Sequence, residues 1–196
     1  MIAYLDGKVA YKDPAYAIID VNGLGYEVRI SLQTYTSLPE DGQRCKLVTY
    51  LNIREDAHIL YGFWSTDEKK LFLDLTGISG IGPSTALVML SSLSSSEIRQ
   101  GIVDEDLRLI QSIKGIGSKT AQRVILELKD KMRKDTLSST GVKSSESSSS
   151  ILRSEALAAL VTLGIPKATA EKSVDVIIKR EGLDLTVEQL IKLALR

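Results

Sequence analysis

The sequence predicts a multi-domain α+β fold with a five-stranded β-barrel, a compact all-α domain, a flexible serine-rich linker and a small three-helix bundle. Three observations carry this prediction. Strand-like runs fill residues 1–64, apolar residues recur at helical spacings in residues 65–134, and residues 135–150 contain eight serines. The predicted domain boundaries are residues 1–64, 65–142, 143–149 and 150–196.

Composition narrows the classes of function. The chain has 196 residues, 43% of them hydrophobic, and its 25 Lys+Arg balance 25 Asp+Glu. This is a globular composition, and a net charge of zero excludes an arm that coats nucleic acid by bulk charge. The single cysteine, Cys45, predicts no internal disulfide. The first residues lack the basic and apolar segments of a signal peptide, so we expect a cytoplasmic protein without a membrane span.

The N-terminal block is predicted to form a small barrel. Tyr26, Val28 and Ile30 alternate with polar residues, which is the period of a half-buried strand. Other β-branched or aromatic runs, separated by turn residues, are Ile2–Val9, Tyr16–Val21, Lys46–Ile53 and His58–Phe63. Five short strands favour a barrel because closure removes exposed sheet edges. An OB-like barrel is the first expectation, and an SH3-like barrel is the alternative.

The most informative feature of the helical block is an internal repeat. The segment Ile78–Ala86 (ISGIGPSTA) recurs 35 residues later as Ile113–Ala121 (IKGIGSKTA). Apolar residues match on both flanks, so a short helix, a Gly-Ile-Gly turn and a second helix occur twice. One copy alone is more often an ordinary helix cap and turn. Two copies in the same frame favour a shared binding role.

Each copy of the repeat predicts a phosphate site. Glycine permits a positive φ angle or the close approach of another backbone, and the central isoleucine is expected to pack into the core. The helix that follows leaves its first N–H groups without internal partners, at the positive end of its dipole. These groups can bind phosphate without reading bases. The candidate residues are Ser79, Gly80, Ile81, Gly82 and Ser84 in the first copy, and Lys114, Gly115, Ile116, Gly117, Ser118, Lys119 and Arg123 in the second.

Three other functions fit the residues less well. Gly77-x4-Gly82-Pro83-Ser84 is similar to an ATP-binding P-loop, but proline stands where lysine must reach the phosphates. No grouped carboxylates or metal ligands indicate a nuclease, and no cofactor or metal site is predicted. A barrel that binds single strands needs a basic groove, whereas residues 1–64 hold 6 Lys+Arg and 8 Asp+Glu.

The segment after the linker is predicted to form three helices. They are Ser154–Leu163, a segment from Pro166 to about Arg180, and Glu188–Leu195, which Thr186 caps. A domain this small has a thin core, so part of its apolar surface is expected to contact a partner.

Five segments carry a resemblance to a known family: Gly23–Val28, Arg54–Ala57, Leu60–Phe63, Lys114–Gly117 and Lys119–Ala121. With them the chain resembles the RuvA family of tandem helix-hairpin-helix proteins, the Holliday-junction-recognition subunits of bacterial branch-migration complexes. The resemblance covers essentially the whole chain, and the order of barrel, paired hairpins, linker and helical domain is also that of the family.

The resemblance implies a non-catalytic DNA-binding subunit that acts in recombination and DNA repair. Such proteins are homotetramers that bind an open, square four-way junction, and the sequence leaves open whether one or two tetramers do so. An acidic pin near the crossover maps to Glu55 and Asp56. The C-terminal domain engages the hexameric ATPase RuvB, and the resolvase RuvC is a further candidate partner. The motor-binding patch falls on Leu160, Leu163, Ile165 and Leu195.

One departure from the family concerns the first hairpin. Ser84 stands where family members commonly have lysine, and Val88 stands where the second copy has Arg123. The first hairpin is therefore expected to rely on its backbone N–H groups. Tetramer formation would compensate for a weaker site through multivalency.

Overall fold

The computed structural model describes residues 1–139, 148–181 and 185–195. The chain divides into two units, Met1–Ser139 and Thr140–Arg196. Residues 143–147 of the predicted linker lie outside the described residues, whereas Ser148 and Ser149 begin a helix. That helix starts at Ser148, whereas the sequence predicted a start at Ser154, because a serine-rich composition does not by itself exclude a helix.

The first unit begins with a closed five-stranded barrel. Its strands are β1 (Tyr4–Lys12), β2 (Tyr16–Val21), β3 (Leu24–Ile30), β4 (Arg44–Ile53) and β5 (His58–Phe63). They pair in the order β1-β2-β3-β5-β4, and β4 closes on β1. Only β3 and β5 pair in parallel among these strands. This topology confirms the predicted OB-like barrel.

The barrel interior follows the alternation read from the sequence. Val9, Ile19, Val28 and Leu47 are fully buried, and each has exposed or partly exposed neighbours along its strand. Cys45 also faces the core, where burial raises the pKa of its thiol. The cysteine therefore has a packing role in this unit.

A short helix that the sequence analysis does not predict, α1 (Leu32–Ser37), lies between β3 and β4. Its N-cap Ser31 and its buried Thr34 both donate hydrogen bonds to the carboxylate of Glu68, with Thr34 Oγ1 at 2.7 Å. The backbone N–H of Trp64 donates to the same carboxylate at 3.1 Å. Glu68 is 4% exposed, so this network fastens the barrel to the helices from within.

The rest of the first unit is helical, as the sequence predicted. The helices are α2 (Thr66–Thr76), α3 (Pro83–Ser92), α4 (Ser95–Val103), α5 (Leu107–Gln111) and α6 (Ser118–Ser139). These helices share a core with Tyr61 and Phe63 of β5, whereas the interior of the barrel forms a separate core. The ring of Phe72 lies 4.9 Å from that of Phe63 and 5.2 Å from that of Tyr61, measured between centroids. The close packing of this core holds the helices that bear the hairpins in place.

The second unit contains the three predicted helices, α7 (Ser148–Thr162), α8 (Lys167–Glu181) and α9 (Val187–Ala194). Its fully buried residues are Ala156, Leu160, Ala170, Val174 and Leu190. Thr186 caps α9, as predicted, by accepting a hydrogen bond from the N–H of Gln189. Across the described residues, every helix is too short or too polar to cross a membrane.

Candidate nucleic-acid interface

The first Gly-Ile-Gly turn joins α2 to α3. Gly80 has a φ angle of +96°, and Ile81 is 4% exposed, so its side chain anchors the turn in the core. Gly82 is the N-cap of α3 and offers no side-chain hydrogen bond to the helix. Pro83 follows without an N–H group, so the amides of Ser84 and Thr85 are the ones left to bind an external acceptor.

The second turn, between α5 and α6, repeats this geometry. Gly115 has a φ angle of +88°, and Ile116 is 6% exposed. Ile116 donates a hydrogen bond to the carbonyl of Ile113 at 3.1 Å, as Ile81 does to Ile78 at 3.0 Å. The turn geometry and the anchoring isoleucines predicted from the repeat are therefore confirmed in both copies.

Open space lies in front of both helix starts. A Cβ atom built on Gly82 or Gly117 would meet no other atom within 4 Å, apart from its immediate chain neighbours. Ser79, Ser84 and Ser118 are exposed beside these glycines, and so are Lys114 and Lys119. A phosphate group can therefore approach both sets of amides from solvent.

Arg123 has a contact that the sequence did not indicate. Its Nη1 donates a hydrogen bond to the carbonyl of Ser79 at 3.0 Å, and its Nε lies 3.8 Å from Glu127 Oε1. The side chain, half exposed, therefore joins the second hairpin to the turn of the first. Its guanidinium retains donors that face solvent, since two contacts use only part of its five N–H groups.

The proposed pin residues, Glu55 and Asp56, occupy the tip of the hairpin between β4 and β5. Both are exposed, and the N–H of Arg54 donates to the carbonyl of Ala57 at 2.9 Å across the loop. The two carboxylates therefore point negative charge into solvent from a short, closed turn.

The predicted motor-binding residues differ in their exposure. Leu163 is 61% exposed and Leu195 is 54% exposed. Ile165 is partly buried, and Leu160 is fully buried among the helices of the second unit. Leu160 therefore supports the surface from below, because reaching a partner would require the bundle to open. Val161, which is not among the predicted residues, lies next to Leu160 in the chain and is 44% exposed.

Within the described part of the chain, no group of three or more His, Cys, Asp or Glu side chains is placed to hold a metal ion. The candidate groups at the two turns are backbone amides, hydroxyls and a few cations.

Three family models match successive parts of the chain, in the order of the barrel, the hairpins and the C-terminal helices. Residues 1–62 match the family model "RuvA N terminal domain", residues 72–130 match "SAM-like Helix-hairpin-helix tandem", and residues 152–196 match "RuvA, C-terminal domain". The second range contains both turns described above.

Curated relatives also cover the chain from end to end. The protein of Cytophaga hutchinsonii named "Holliday junction branch migration complex subunit RuvA" is 54% identical over all of this chain and 99% of its own length. Proteins of the same name from Amoebophilus asiaticus and a Geobacter species are 48% and 41% identical over all of this chain and 100% and 98% of their own lengths. The chain belongs to the RuvA family. The two hairpins of this RuvA-family chain lie in its tandem domain. Leu163 and Leu195 lie in its RuvA C-terminal domain.

Proposed function

We propose that this chain binds four-way (Holliday) DNA junctions through their phosphates and serves as a non-catalytic subunit of a branch migration complex. The observation that carries the proposal is the pair of matching hairpins, each with an isoleucine anchor and an open helix start. The names of the curated relatives support the junction as the substrate.

The chemistry of the hairpins suits binding without sequence specificity. Helix-start amides and nearby lysines contact phosphate oxygens, which are the same at every base pair. The chain as a whole is neutral, so these local groups supply the attraction for the polyanion. A homotetramer would bring several modest sites to one junction at a high effective concentration. Either one tetramer or two facing tetramers would fit this arrangement.

The pin residues favour a junction over a continuous duplex. A phosphate that approaches Glu55 and Asp56 meets two like charges, which repel it. A duplex lying across the pin would bring phosphates against them, whereas an open crossover leaves room there. The pin would therefore hold the four arms apart in a square arrangement.

The second unit would recruit the motor. Leu163 and Leu195 expose large apolar side chains in a small domain, which is typical of a partner surface. The partner that we propose is the hexameric ATPase RuvB, which would supply the energy for branch migration in recombination and repair. The resolvase RuvC is a further candidate partner at the same junction.

The experiment that tests the proposal compares an immobile four-way junction, a linear duplex and a single strand of the same length. We expect the full-length chain to bind the junction most tightly, with an affinity that falls steeply between about 50 and 200 mM salt. Equal affinity for junction and duplex, or an affinity that ignores salt, would contradict the proposal. Incubation of the junction with the chain and Mg²⁺ tests the enzyme alternative, and we expect uncut DNA.

A further inference from the structure

A groove of about 430 Å³ lies between the barrel and α3, directly beside the first hairpin. One wall comes from the ends of β3 and β5, and the other comes from the exposed side of α3. Arg29 of the barrel and Ser84 of the first hairpin both line this groove. Six of its lining residues are Arg29, Tyr61, Ser84, Leu87, Val88 and Ser91.

The hairpin side of the groove lacks a cation. Ser84 and Val88 occupy the positions that correspond to Lys119 and Arg123 in the second hairpin. Val88 is 41% exposed and presents only methyl groups. The first helix start therefore has open amides but no positive side chain of its own to hold a phosphate.

The barrel side of the groove supplies a cation. Arg29 projects from β3, on the outward face that it shares with Glu27, and its guanidinium lies 6.0 Å from the centroid of the Tyr16 ring. Arg29 Nη2 lies 3.4 Å from Glu27 Oε1, with both side chains at least half exposed. An exposed pair of this kind is weak, so a phosphate can replace the carboxylate as the partner of Arg29.

The position of Arg29 relative to α3 is fixed by hydrogen bonds close by in the chain. The N–H of Leu32 donates to Ser91 Oγ at 3.1 Å, and Gln33 Nε2 donates to the carbonyl of Leu93 at 2.6 Å. These bonds tie the segment just after β3 to the C-terminal half of α3. Arg29 and Ser84 both line the groove, so the barrel arginine and the start of α3 border the same space.

We propose that Arg29 supplies the cation for the first hairpin's phosphate site, so that a DNA phosphate lies between its guanidinium and the start of α3. The proposal rests on the proposed function and adds a barrel residue to the binding surface. The first hairpin then resembles the second in charge, although its cation comes from a distant part of the sequence. A guanidinium also offers two parallel N–H donors in one plane that match two phosphate oxygens, a geometry that the ammonium of lysine lacks.

The test uses Arg29→Gln in the full-length chain, with Arg44→Gln as the matched control. Arg44 is also an exposed barrel arginine paired with a carboxylate, Asp6, at 2.8 Å, but it does not line the groove. For Arg29→Gln we expect junction affinity to fall by about tenfold or more at moderate salt. The slope of log affinity against log salt should decrease by about 0.9 for each phosphate that the variant no longer neutralises. Arg44→Gln should change neither quantity.

A second variant tests whether Arg29 and residue 84 serve the same phosphate. Ser84→Lys in the Arg29→Gln background should restore most of the affinity and the salt slope. Equal salt slopes for Arg29→Gln, Arg44→Gln and the unaltered chain would overturn the proposal while leaving junction binding in place. Failure of the unaltered chain to prefer a junction would instead overturn the proposed function, so the two failures are distinguishable.

Discussion

Two kinds of glycine with different tasks stand in each hairpin. Gly80 and Gly115 have positive φ angles, where a residue with a Cβ is strained by roughly 1–2 kcal/mol. Gly82 has an extended backbone, with a φ angle of −87°, which any residue can adopt. The absence of a side chain at Gly82 is therefore not explained by backbone strain. Under the proposed function, a position without a side chain leaves the amides of Ser84 and Thr85 open to a phosphate.

Replacing Gly82 by serine should therefore separate stability from binding. Serine is a slightly better N-cap than glycine because its hydroxyl accepts a hydrogen bond from the helix start. The same hydroxyl occupies an amide that we propose for phosphate. We expect the free energy of unfolding to stay equal or rise by about 0.3 kcal/mol, and junction affinity to fall by about tenfold. Urea denaturation and fluorescence anisotropy measure the two effects.

A matched control for this substitution is Ser94→Gly, which weakens the N-cap of α4. It should lower stability by a few tenths of a kcal/mol and leave junction affinity unchanged. If Gly82→Ser bound the junction as tightly as the unaltered chain, the amides of α3 would have no part in phosphate binding.

At the scale of elements, the two hairpins share one buried core, and Arg123 joins their turns at the surface. Its hydrogen bond to the carbonyl of Ser79 spans 44 positions in sequence and fixes one turn against the other. Arg123→Gln should therefore shift the amide NMR signals of Ser79 and Gly80 in the DNA-free chain. Lys119→Gln, which removes a proposed phosphate contact only, should leave those signals in place. If neither variant shifted these signals, Arg123 would not hold the two turns together, and its proposed role would be phosphate contact alone.

The β4–β5 hairpin yields a prediction about selectivity. Glu55→Lys combined with Asp56→Lys converts a repulsive tip into an attractive one, because the carboxylates are replaced by ammonium groups. We expect binding of linear duplex to tighten by about tenfold and the ratio of junction to duplex affinity to fall. Each reversed charge near a phosphate should contribute about 1 kcal/mol, since solvent screens the tip.

The control for charge reversal is Glu40→Lys with Asp41→Lys. These adjacent acidic residues lie in another exposed turn of the barrel. The same change of net charge there should leave the affinity ratio unaltered. A ratio in the pin variant equal to that of the unaltered chain would refute the selective role of Glu55 and Asp56.

The packing of α7 against α8 gives a prediction about pH. Arg153 holds both carboxylate oxygens of Asp175, with Nε–Oδ1 at 2.6 Å and Nη2–Oδ2 at 2.9 Å. The hydrogen bonds from Arg153 lower the pKa of Asp175 in the folded chain. A carboxyl with a lowered pKa stabilises the fold above its unfolded pKa, and this contribution is lost as the pH falls through the folded value.

We therefore expect the second unit to lose stability below about pH 4, and Asp175→Asn to remove that part of the acid dependence. At pH 7 the variant should be destabilised by about 1 kcal/mol or less, since the two side chains are 40% and 48% exposed and solvent screens the pair. NMR-monitored melting of α7 and α8 in the full-length chain measures both effects. If the variant lost stability at low pH in the same way as the unaltered chain, groups other than Asp175 would cause the pH dependence.

The elements most visible in the sequence were those with a strong local pattern. β2 and β5 begin and end at the residues that the β-branched and aromatic runs predicted. Helix α1 was missed because its six residues have no apolar period, and its stability comes from Ser31 and Thr34 bonding to Glu68. In the sequence, Glu68 belongs to a run of four charged residues, Asp67–Lys70, at the start of a helix, and such a run is usually exposed. Its burial depends on a partner 37 positions away, which no local pattern reveals.

The candidate site was predictable where the repeat determined it. Gly80 and Gly115, with the isoleucines that follow them, adopt the predicted geometry because the turn is a local structure. The contact of Arg123 with Ser79 and the position of Arg29 across from Ser84 were not predictable. Both depend on tertiary packing between segments that are distant in the chain.

For the whole molecule, the division into two units predicts that DNA binding and the proposed motor recruitment can be altered separately. The proposed phosphate and pin residues lie in the first unit, and the exposed leucines of the patch lie in the second. Among the described residues, the first unit buries two apolar clusters and the second unit buries one. A surface substitution in one unit should therefore leave the fold of the other intact.

Leu163→Glu tests this separation in the full-length chain. The side chain is 61% exposed, so a carboxylate there should cost about 0.5 kcal/mol of stability or less. We expect junction affinity to stay within twofold, and binding of the RuvB motor to fall by at least tenfold, because a charge would be buried in an apolar contact. Pull-down of RuvB and branch migration of a labelled junction measure the loss. Leu24→Glu, at a barrel leucine that is 57% exposed, is the matched control and should leave both activities unchanged. If Leu163→Glu bound the motor as well as Leu24→Glu does, the proposed motor-binding surface at Leu163 would be wrong.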